Sequence, residues 1–588
     1  MTRVFSTPLE PLTSRQRTIF VIVAVACAVT RLYAVARSLW DWDEALFTMA
    51  MRDYDVTMHH PHPPGFPVFI AMARIARVVV PDDFRSLQTV NVVAAMLVFV
   101  AMFMFARELR LRFTTCVSAG ALFAFFPNVW FFGGGAFSDI PSIVLVLFAV
   151  TFLLKGIRDR NAYWLGTLLL ALAIGIRPQN LLIGLVPGFL ATLKRRWWEI
   201  LVALLIGIAV VGAAYGGAIY ATGSLKEYAR MVREHGDYIS RVDSFRSEAR
   251  PPLWRIFDRF FIKQYQSPVL SILASLFVVI SAIGAIRQRN RSLLLNLLTF
   301  LPFAIVAWLM LDRFSISRFS IGYQPMFAIF VADGIARIAR KREWMVSAAL
   351  VIAFFAYTFP ALTPVRNEVA PSILAAQAAV QRLDPEREQL FVGHTMMVFV
   401  DLLAPGLPYT RVVDDRAMPS SARERSWLLA EVTTTPEEGT MFRRERGHLW
   451  NIARRHYFEI KLAPLTARPR FISGWYAPES METNQWRWMR GHSVTLLPPV
   501  RGEAILRMHV GVPGELIARN PTITVKLNGR VVERVPVTGD SVERDFHVDP
   551  APRGLPNVLE LSIDQTVLPQ HESRELGLRL RYLAWGPG

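Results

Sequence analysis

Cysteine is almost absent from this chain of 588 residues: two occur, Cys27 and Cys116, each inside an apolar stretch. A disulfide framework is thereby excluded, and neither residue marks a redox compartment. Charge is also scarce, at 19% of residues against 53% hydrophobic. A chain this long and this apolar is not one soluble domain, and it reads as a polytopic membrane protein with a soluble part. Acids are the rarer sign, 47 against 65 Lys and Arg, for a net charge of +18. The basic residues fall in short clusters between apolar spans, which is the pattern of topology-setting loops and argues against a nucleic-acid partner. No small-residue cleavage motif follows the first apolar run, so an uncleaved first helix is expected.

Apolar stretches of about 20 residues, enough to cross a bilayer, lie near 18–36, 88–106, 114–132, 139–154, 198–220, 268–286, 292–311, 319–337 and 344–362. Residues 162–193 form a further block that Arg177-Pro178-Gln179-Asn180 splits into two short helices. The stretch 66–80 is short and carries Arg74 and Arg77. Laid along the surface, it leaves about eleven spans and puts the clusters at 107–112, 155–160, 194–196, 287–291 and 337–342 on the cytoplasmic side, as the positive-inside rule prefers. The first loop (37–87), the turn from Gly133 to Asp139, the Arg177 turn, the polar segment 222–265 and the loop 312–318 then share the outer face. The N-terminus is expected in the cytoplasm and the C-terminal part on the outer face, in the periplasm or its equivalent. Domain boundaries are expected at 1–364 for the membrane part, 365–469 for a small α/β segment and 470–588 for an antiparallel β-sandwich, jelly-roll-like. Asn528-Gly529 between two alternating runs is a hairpin signal.

Ionisable residues at a membrane surface usually serve function. Trp40 to Pro67 reads WDWDEALFTMAMRDYDVTMHHPHPPGFP. Asp43 and Glu44, with Asp41, suit proton abstraction or ion binding, or else merely cap a helix. His59, His60 and His62 stand among Pro61, Pro63 and Pro64, which stiffen the backbone. A divalent ion held by Asp43, Glu44, His59 and His60 is one reading, although the spacing matches no specific ligand pattern; His62, just before the proline pair, is better placed to donate to an anion. Asp139 in GGGAFSDIPS is either an ordinary N-terminal carboxylate or a second acid of the same site. Arg177 in GIRPQN and Arg318 in SRFSIGYQP are forked cations at outer helix ends, suited to phosphate or to snorkelling. Trp40 and Trp42 are read as interface anchors. Trp475, Tyr476, Trp486 and Trp488 are read as β-domain core before carbohydrate contacts.

Taken together, these parts resemble the GT-C superfamily of membrane glycosyltransferases, especially the protein O-mannosyltransferase and aminoarabinose-transferase-like group in bacteria. Asp43-Glu44 matches the acidic pair of the first outer loop, His62-Pro63-Pro64 the Pro-Pro motif, Asp139 the second-loop acid and Arg318 the late arginine. The match covers about residues 15–365. Gly65-Phe66 departs from the aliphatic and aromatic residues that many relatives place after the proline pair.

The resemblance implies a polyprenyl-phosphate-linked sugar as donor, a hydroxyl acceptor on a glycan, lipid or protein, and membrane lipid around the helices. An acceptor hydroxyl would attack the anomeric carbon while a carboxylate takes its proton and cations hold the leaving phosphate. Asp43 is assigned as general base, Glu44 and Asp139 to orient the acceptor or an ion, and His62, Arg177 and Arg318 to the phosphate. The one cofactor that the reading brings up is a divalent metal ion, and none is assigned with certainty. The alternatives are a polysaccharide polymerase or lipid-linked-sugar transporter, which needs no acidic pair tied to a Pro-Pro motif, and a non-catalytic glycan-binding scaffold.

Overall fold

The computed structural model describes residues 5–242, 244, 252, 254, 257–309, 316–385, 388–412, 425–431, 439–444, 459–464, 469–481, 484–498, 500, 502–552, 557–569 and 573–587. The first loop and its flanks fold as helices α1 (Ser14–Arg31), α2 (Trp42–Arg52), α3 (Pro67–Ala76) and α4 (Asp83–Glu108). There follow α5 (Phe113–Phe125), α6 (Pro127–Phe132), α7 (Asp139–Lys155), α8 (Arg160–Ile176), α9 (Asn180–Thr192), α10 (Trp197–Ala221) and α11 (Leu225–Val242). Four more are α12 (Pro268–Arg287), α13 (Arg291–Leu309), α14 (Gln324–Ala339) and α15 (Glu343–Asn367). Every apolar stretch expected to span the bilayer is thus helical among the described residues. Among the described residues six helical stretches are long and apolar enough, by length and composition, to cross a membrane, and the chain is a multi-pass membrane protein.

Burial sorts these helices. Of the six stretches, α4 is the most enclosed, with Phe99, Phe103 and Phe105 inside the bundle. On α10 the side chains of Leu204, Leu205 and Ile208 point outward, which is tolerable only where the surroundings are apolar too.

Two local features depart from a run of simple spans. The expected helix 114–132 breaks at Phe126, whose ψ of 134° leaves helical geometry, and Pro127 opens α6. Proline lacks the N–H that a continuing helix needs there. The stretch 66–80 forms α3, whose ten residues are too few to cross a bilayer. Phe69, Ile70 and Ala73 face the bundle, while Met72, Ile75, Val78 and Val79 are exposed. Its arginines stay at the loop: Arg74 donates to the Ala50 carbonyl at 3.0 Å, and Arg77 joins Arg52 on Asp83.

The helical part with residues 442–459 forms one compact unit, Met1–Leu374 and Phe442–Glu459. The other comprises Ala375–Met441 and Ile460–Gly588. A small α/β arrangement uses α16 (Pro371–Arg382), α17 (Met397–Leu403), β1 (Glu388–Gly393), β2 (Thr410–Val412), β3 (Arg425–Glu431), β4 (Thr440–Arg443) and β5 (Glu459–Pro464). Its sheet order is β2-β1-β3-β5-β4, with β1 parallel to β2 and β3 and β5 antiparallel to β3.

The C-terminal β domain has β6 (Arg470–Met481), β7 (Asn484–Leu497), β8 (Ala504–Gly511), β9 (Thr522–Leu527), β10 (Arg530–Pro536), β11 (Ser541–Val548), β12 (Asn557–Ile563) and β13 (Arg579–Pro587). Among the described residues the pairings are antiparallel, in the order β10-β9-β12-β7-β13-β8-β11 with β6 beside β7. The two wings of this hydrogen-bonded path share one core, in which Val525 and Leu559 are buried in the same cluster as Met508 and Phe546. The Asn528-Gly529 turn joins β9 and β10 as expected, with positive φ at both residues. Trp475, Tyr476 and Trp488 pack against that core.

Candidate active site

Helix α2 begins with a capping box. Asp41 accepts from the Asp43 N–H at 2.9 Å, while Glu44 reaches back to the N–H groups of Asp41 at 3.0 Å and Trp40 at 2.8 Å. The other Glu44 oxygen accepts from the Ala136 N–H at 2.7 Å. Both oxygens of this fully buried carboxylate therefore serve backbone, and they staple the first loop to the Gly133–Asp139 turn. Burial lifts Glu44 to about 7 against the opposing pull of the Ala136 and Trp40 N–H groups. The expected part for Glu44, orienting an acceptor or an ion, is not what its carboxylate does.

The glycines of the turn allow this approach. A Cβ at Gly135 would lie 2.5 Å from Glu44 Oε1, and one at Gly134 would strike the Ala34 carbonyl. Trp40 is 2% exposed and packs on Phe131, Phe132 and Phe137, so it is a core residue of this junction and not an interface anchor.

With Glu44 turned inward, Asp43 faces the arginines. Arg318, in the helical turn Ile316–Phe319, donates through Nη2 to Asp43 Oδ2. Its Nη1 is 3.7 Å from Asp41 and its Nε 3.5 Å from Asp139. Arg177, the residue capping the C-terminus of α8, pairs with Asp139 Oδ2 at 2.9 Å and donates from Nε to Ser138 Oγ at 3.0 Å. The guanidiniums lie over aromatic faces, Arg318 on Phe137 and Arg177 on Phe66. Asp43, Asp139, Arg177 and Arg318 are thus brought together, and Asp41 joins them. Two arginines and three carboxylates share this site, so no cation is spare.

Electrostatics follow from that count. Burial alone would raise the Asp43 carboxyl, yet Arg318 above all, then His62 and Arg177, hold it well below the usual carboxylate range. Burial opposes the charge on Arg318, but Asp43, Asp139 and Asp41 together raise it well above the ordinary arginine value. Burial dominates at Arg177 and lowers it, with Asp139 pulling the other way.

The His-Pro segment folds as a compact turn. Asp55 and His60 exchange backbone hydrogen bonds, 2.8 Å each way, and the peptides before Pro61 and Pro64 are cis. His62 Nδ1 stands 3.8 Å from Asp43 Oδ1. Burial, outweighing the attraction of Asp43, lowers His62 to about 4, so the ring is neutral at pH 7. His62 therefore sits as a proton acceptor beside Asp43 and carries no charge for a phosphate. The candidate metal set does not fit an ion either: Asp43 is taken by Arg318, Glu44 by backbone, and among the described residues no three His, Cys, Asp or Glu side chains gather as a cage.

A narrow cleft opens beside the two arginines, lined by Asp139, Arg177, Arg318, Gln179, Asn180 and Phe303 among others. His62 is not part of its wall. Asn180 is fixed by Ser142 and the Ala173 carbonyl, whereas Gln179 turns to the cleft. Two further residues near the site escaped the sequence reading. His235 arrives on α11 with its ring centroid 5.8 Å from that of His62. Arg444, buried at the edge of β4, is lowered to about 10 by burial against the pull of Glu368 and Glu44. Neither stands in a motif, and only tertiary packing brings them in.

No protein-family model matches the sequence, and no curated protein does. Among solved structures, the chain is similar to ArnT from Cupriavidus metallidurans bound to undecaprenyl phosphate, at 11% identity over 77% of this chain and 98% of that one, with a TM-score of 0.48. It is also similar to the oligosaccharyltransferase of Archaeoglobus fulgidus in the apo form, at 9% identity over 97% of each chain and a TM-score of 0.46. A third is the arabinofuranosyltransferase AftD from Mycobacteria, at 11% identity over 98% of this chain and 61% of that one, with a TM-score of 0.39. With TM-scores below 0.5, these likenesses leave function to be decided by the side chains.

Proposed function

We propose that the chain is a glycosyltransferase of the GT-C type, moving a sugar from a polyprenyl-phosphate donor to a hydroxyl acceptor at the outer face of the membrane. The observation that supports this best is the shared pairing of Asp43 and Asp139 with Arg318 beside a cleft that Arg177 also lines. Acids for a hydroxyl proton and forked cations for a phosphate stand within one side chain's reach of each other.

The donor phosphate enters the cleft and takes bidentate bonds from Arg177 and Arg318. Since no guanidinium is spare, it draws Arg318 away from Asp43. Asp43 then loses the partner that depressed its basicity, and its burial, now unopposed, raises it toward a useful base. The acceptor hydroxyl attacks the anomeric carbon from the face opposite the phosphate while Asp43 takes its proton, and the configuration inverts. The phosphate leaves with the bonding electrons onto the two arginines and, being a weak base, needs no acid catalyst. Asp139 holds Arg177 and Arg318 at their spacing. Asp41 and Glu44 set the first turn of α2 and so the direction of Asp43.

The test is incubation of the purified full chain in lipid with radiolabelled undecaprenyl- and dolichyl-phosphate sugars and a membrane extract. A labelled glycan, lipid or protein product is expected with at least one donor, and its anomeric linkage should be opposite to that of the donor. Donors left intact across the panel would sink the reading.

A further inference from the structure

We propose that His235 on α11 is a positioning residue of the same site, passing the acceptor's proton from Asp43 through His62 to water; this rests on the glycosyl-transfer reading above. Helix α11 is tied to the His-Pro turn by its inner face. The Tyr228 hydroxyl donates to the Pro64 carbonyl at 2.8 Å, and Tyr228 and Met231 are buried with Val56 and Ala218. His235 lies one turn beyond Met231 on that face. Its ring centroid is 5.8 Å from that of His62 and 6.3 Å from that of His59.

Exposure increases along this row. Asp43 and His62 side chains are each 19% exposed, His235 is intermediate, and His59 is exposed.

Each turnover leaves one proton on Asp43, and its other neighbours cannot take it. Arginine is already protonated, and Asp139 is engaged by both Arg177 and Arg318. The neutral His62 imidazole can accept it. His62 Nδ1 stands beside the carboxylate at 3.8 Å, and the return of Arg318 to Asp43 favours the charged carboxylate, so the proton passes to the ring. The acceptor O–H bond breaks as the new C–O bond forms, and the C–O bond to phosphate breaks with its electrons on the phosphate. Asp43 gives the proton to His62 Nδ1, the imidazolium loses one from Nε2 to His235, and His235 delivers it to solvent. The titratable and charged groups facing this path are Asp43, Arg318, Arg177, His59 and, behind His59, His60.

The experiment compares His235→Ala and His235→Gln with wild type, as full chains in lipid with a donor that wild type turns over. We expect kcat to fall about tenfold or more, donor KM to stay within about twofold, the solvent deuterium isotope effect on kcat to rise, and added imidazole to restore much of the lost rate in His235→Ala. Equal kcat in wild type and both variants overturns the relay, and so does a loss that comes with raised donor KM and no imidazole rescue. Should the alanine variant not fold, the glutamine variant is read alone, with kcat, KM and the isotope effect. A wild-type chain inert with every donor sinks the transfer reading and the relay with it; active wild type with insensitive variants sinks the relay alone.

Discussion

The two ends of the helical bundle handle charge in opposite ways. At the ends of α4, α7 and α15 away from the site, the ion pairs are one to one: Arg158 grips both oxygens of Glu108 at 2.8 and 2.9 Å, and Arg112 pairs with Glu343 at 2.7 Å. Lys155 and Asp159 face each other at 3.9 Å, about two-fifths exposed. At the other end Arg318 is shared by Asp41, Asp43 and Asp139, and its side chain is 10% exposed. One-to-one pairs have nothing to gain from a visiting ion. A shared cation among surplus carboxylates can be re-partnered, and that is the property a phosphate-handling site needs.

The largest test of this contrast is Asp43→Asn, which removes the base and keeps the volume. Transfer should fall about 10³-fold with purified yield and helicity unchanged; full activity would end the assignment. Next, Arg318→Gln should cost about 10²-fold in kcat/KM and Arg318→Lys should recover part of it. Equal donor KM in all three forms would show that the phosphate does not engage Arg318.

Glu44 offers a smaller effect with a definite sign. Its carboxyl is raised from 4.5 to about 7 in the fold, so the protonated form is the one that folding favours. That contribution is complete below pH 4.5 and is lost as pH rises through 7, about 3 kcal/mol in all. The unfolding temperature of wild type should therefore drop between pH 5 and pH 8, and Glu44→Gln should flatten the drop; an equal slope in both would place the titrating group elsewhere. The smallest effect belongs to the far end. Arg112 is 64% exposed, so Arg112→Ala should change stability by less than about 1 kcal/mol and leave transfer within about twofold.

Much of this layout can be read from the sequence. Apolar length identifies the helices, the Arg177 turn between α8 and α9 falls where its polar residues stand, and alternation identifies the β strands. The break at Pro127 is legible in principle, because proline's missing N–H is a local property. What stays hidden depends on long-range packing. Asp43 and Arg318 are 275 residues apart, and a topology rule can place them on one face without saying that they touch. Adjacent Asp43 and Glu44 look alike as a pair, yet helical geometry turns one toward the arginines and the other onto three backbone N–H groups. His62 reads as a donor to an anion, and only tertiary packing sets it beside Asp43 and buries it, lowering it to about 4. Trp40 has the composition of an interface anchor and the surroundings of a core residue.

The staple made by Glu44 has a mechanical meaning. Because one carboxylate grips both the start of α2 and the Ala136 N–H, Asp43 and Asp139 ride on a single block, like two teeth cut in one jaw. Adjusting to an incoming donor then cannot come from the acids spreading apart. It falls to the guanidinium between them, so the site works as a fixed anvil with one swinging arm.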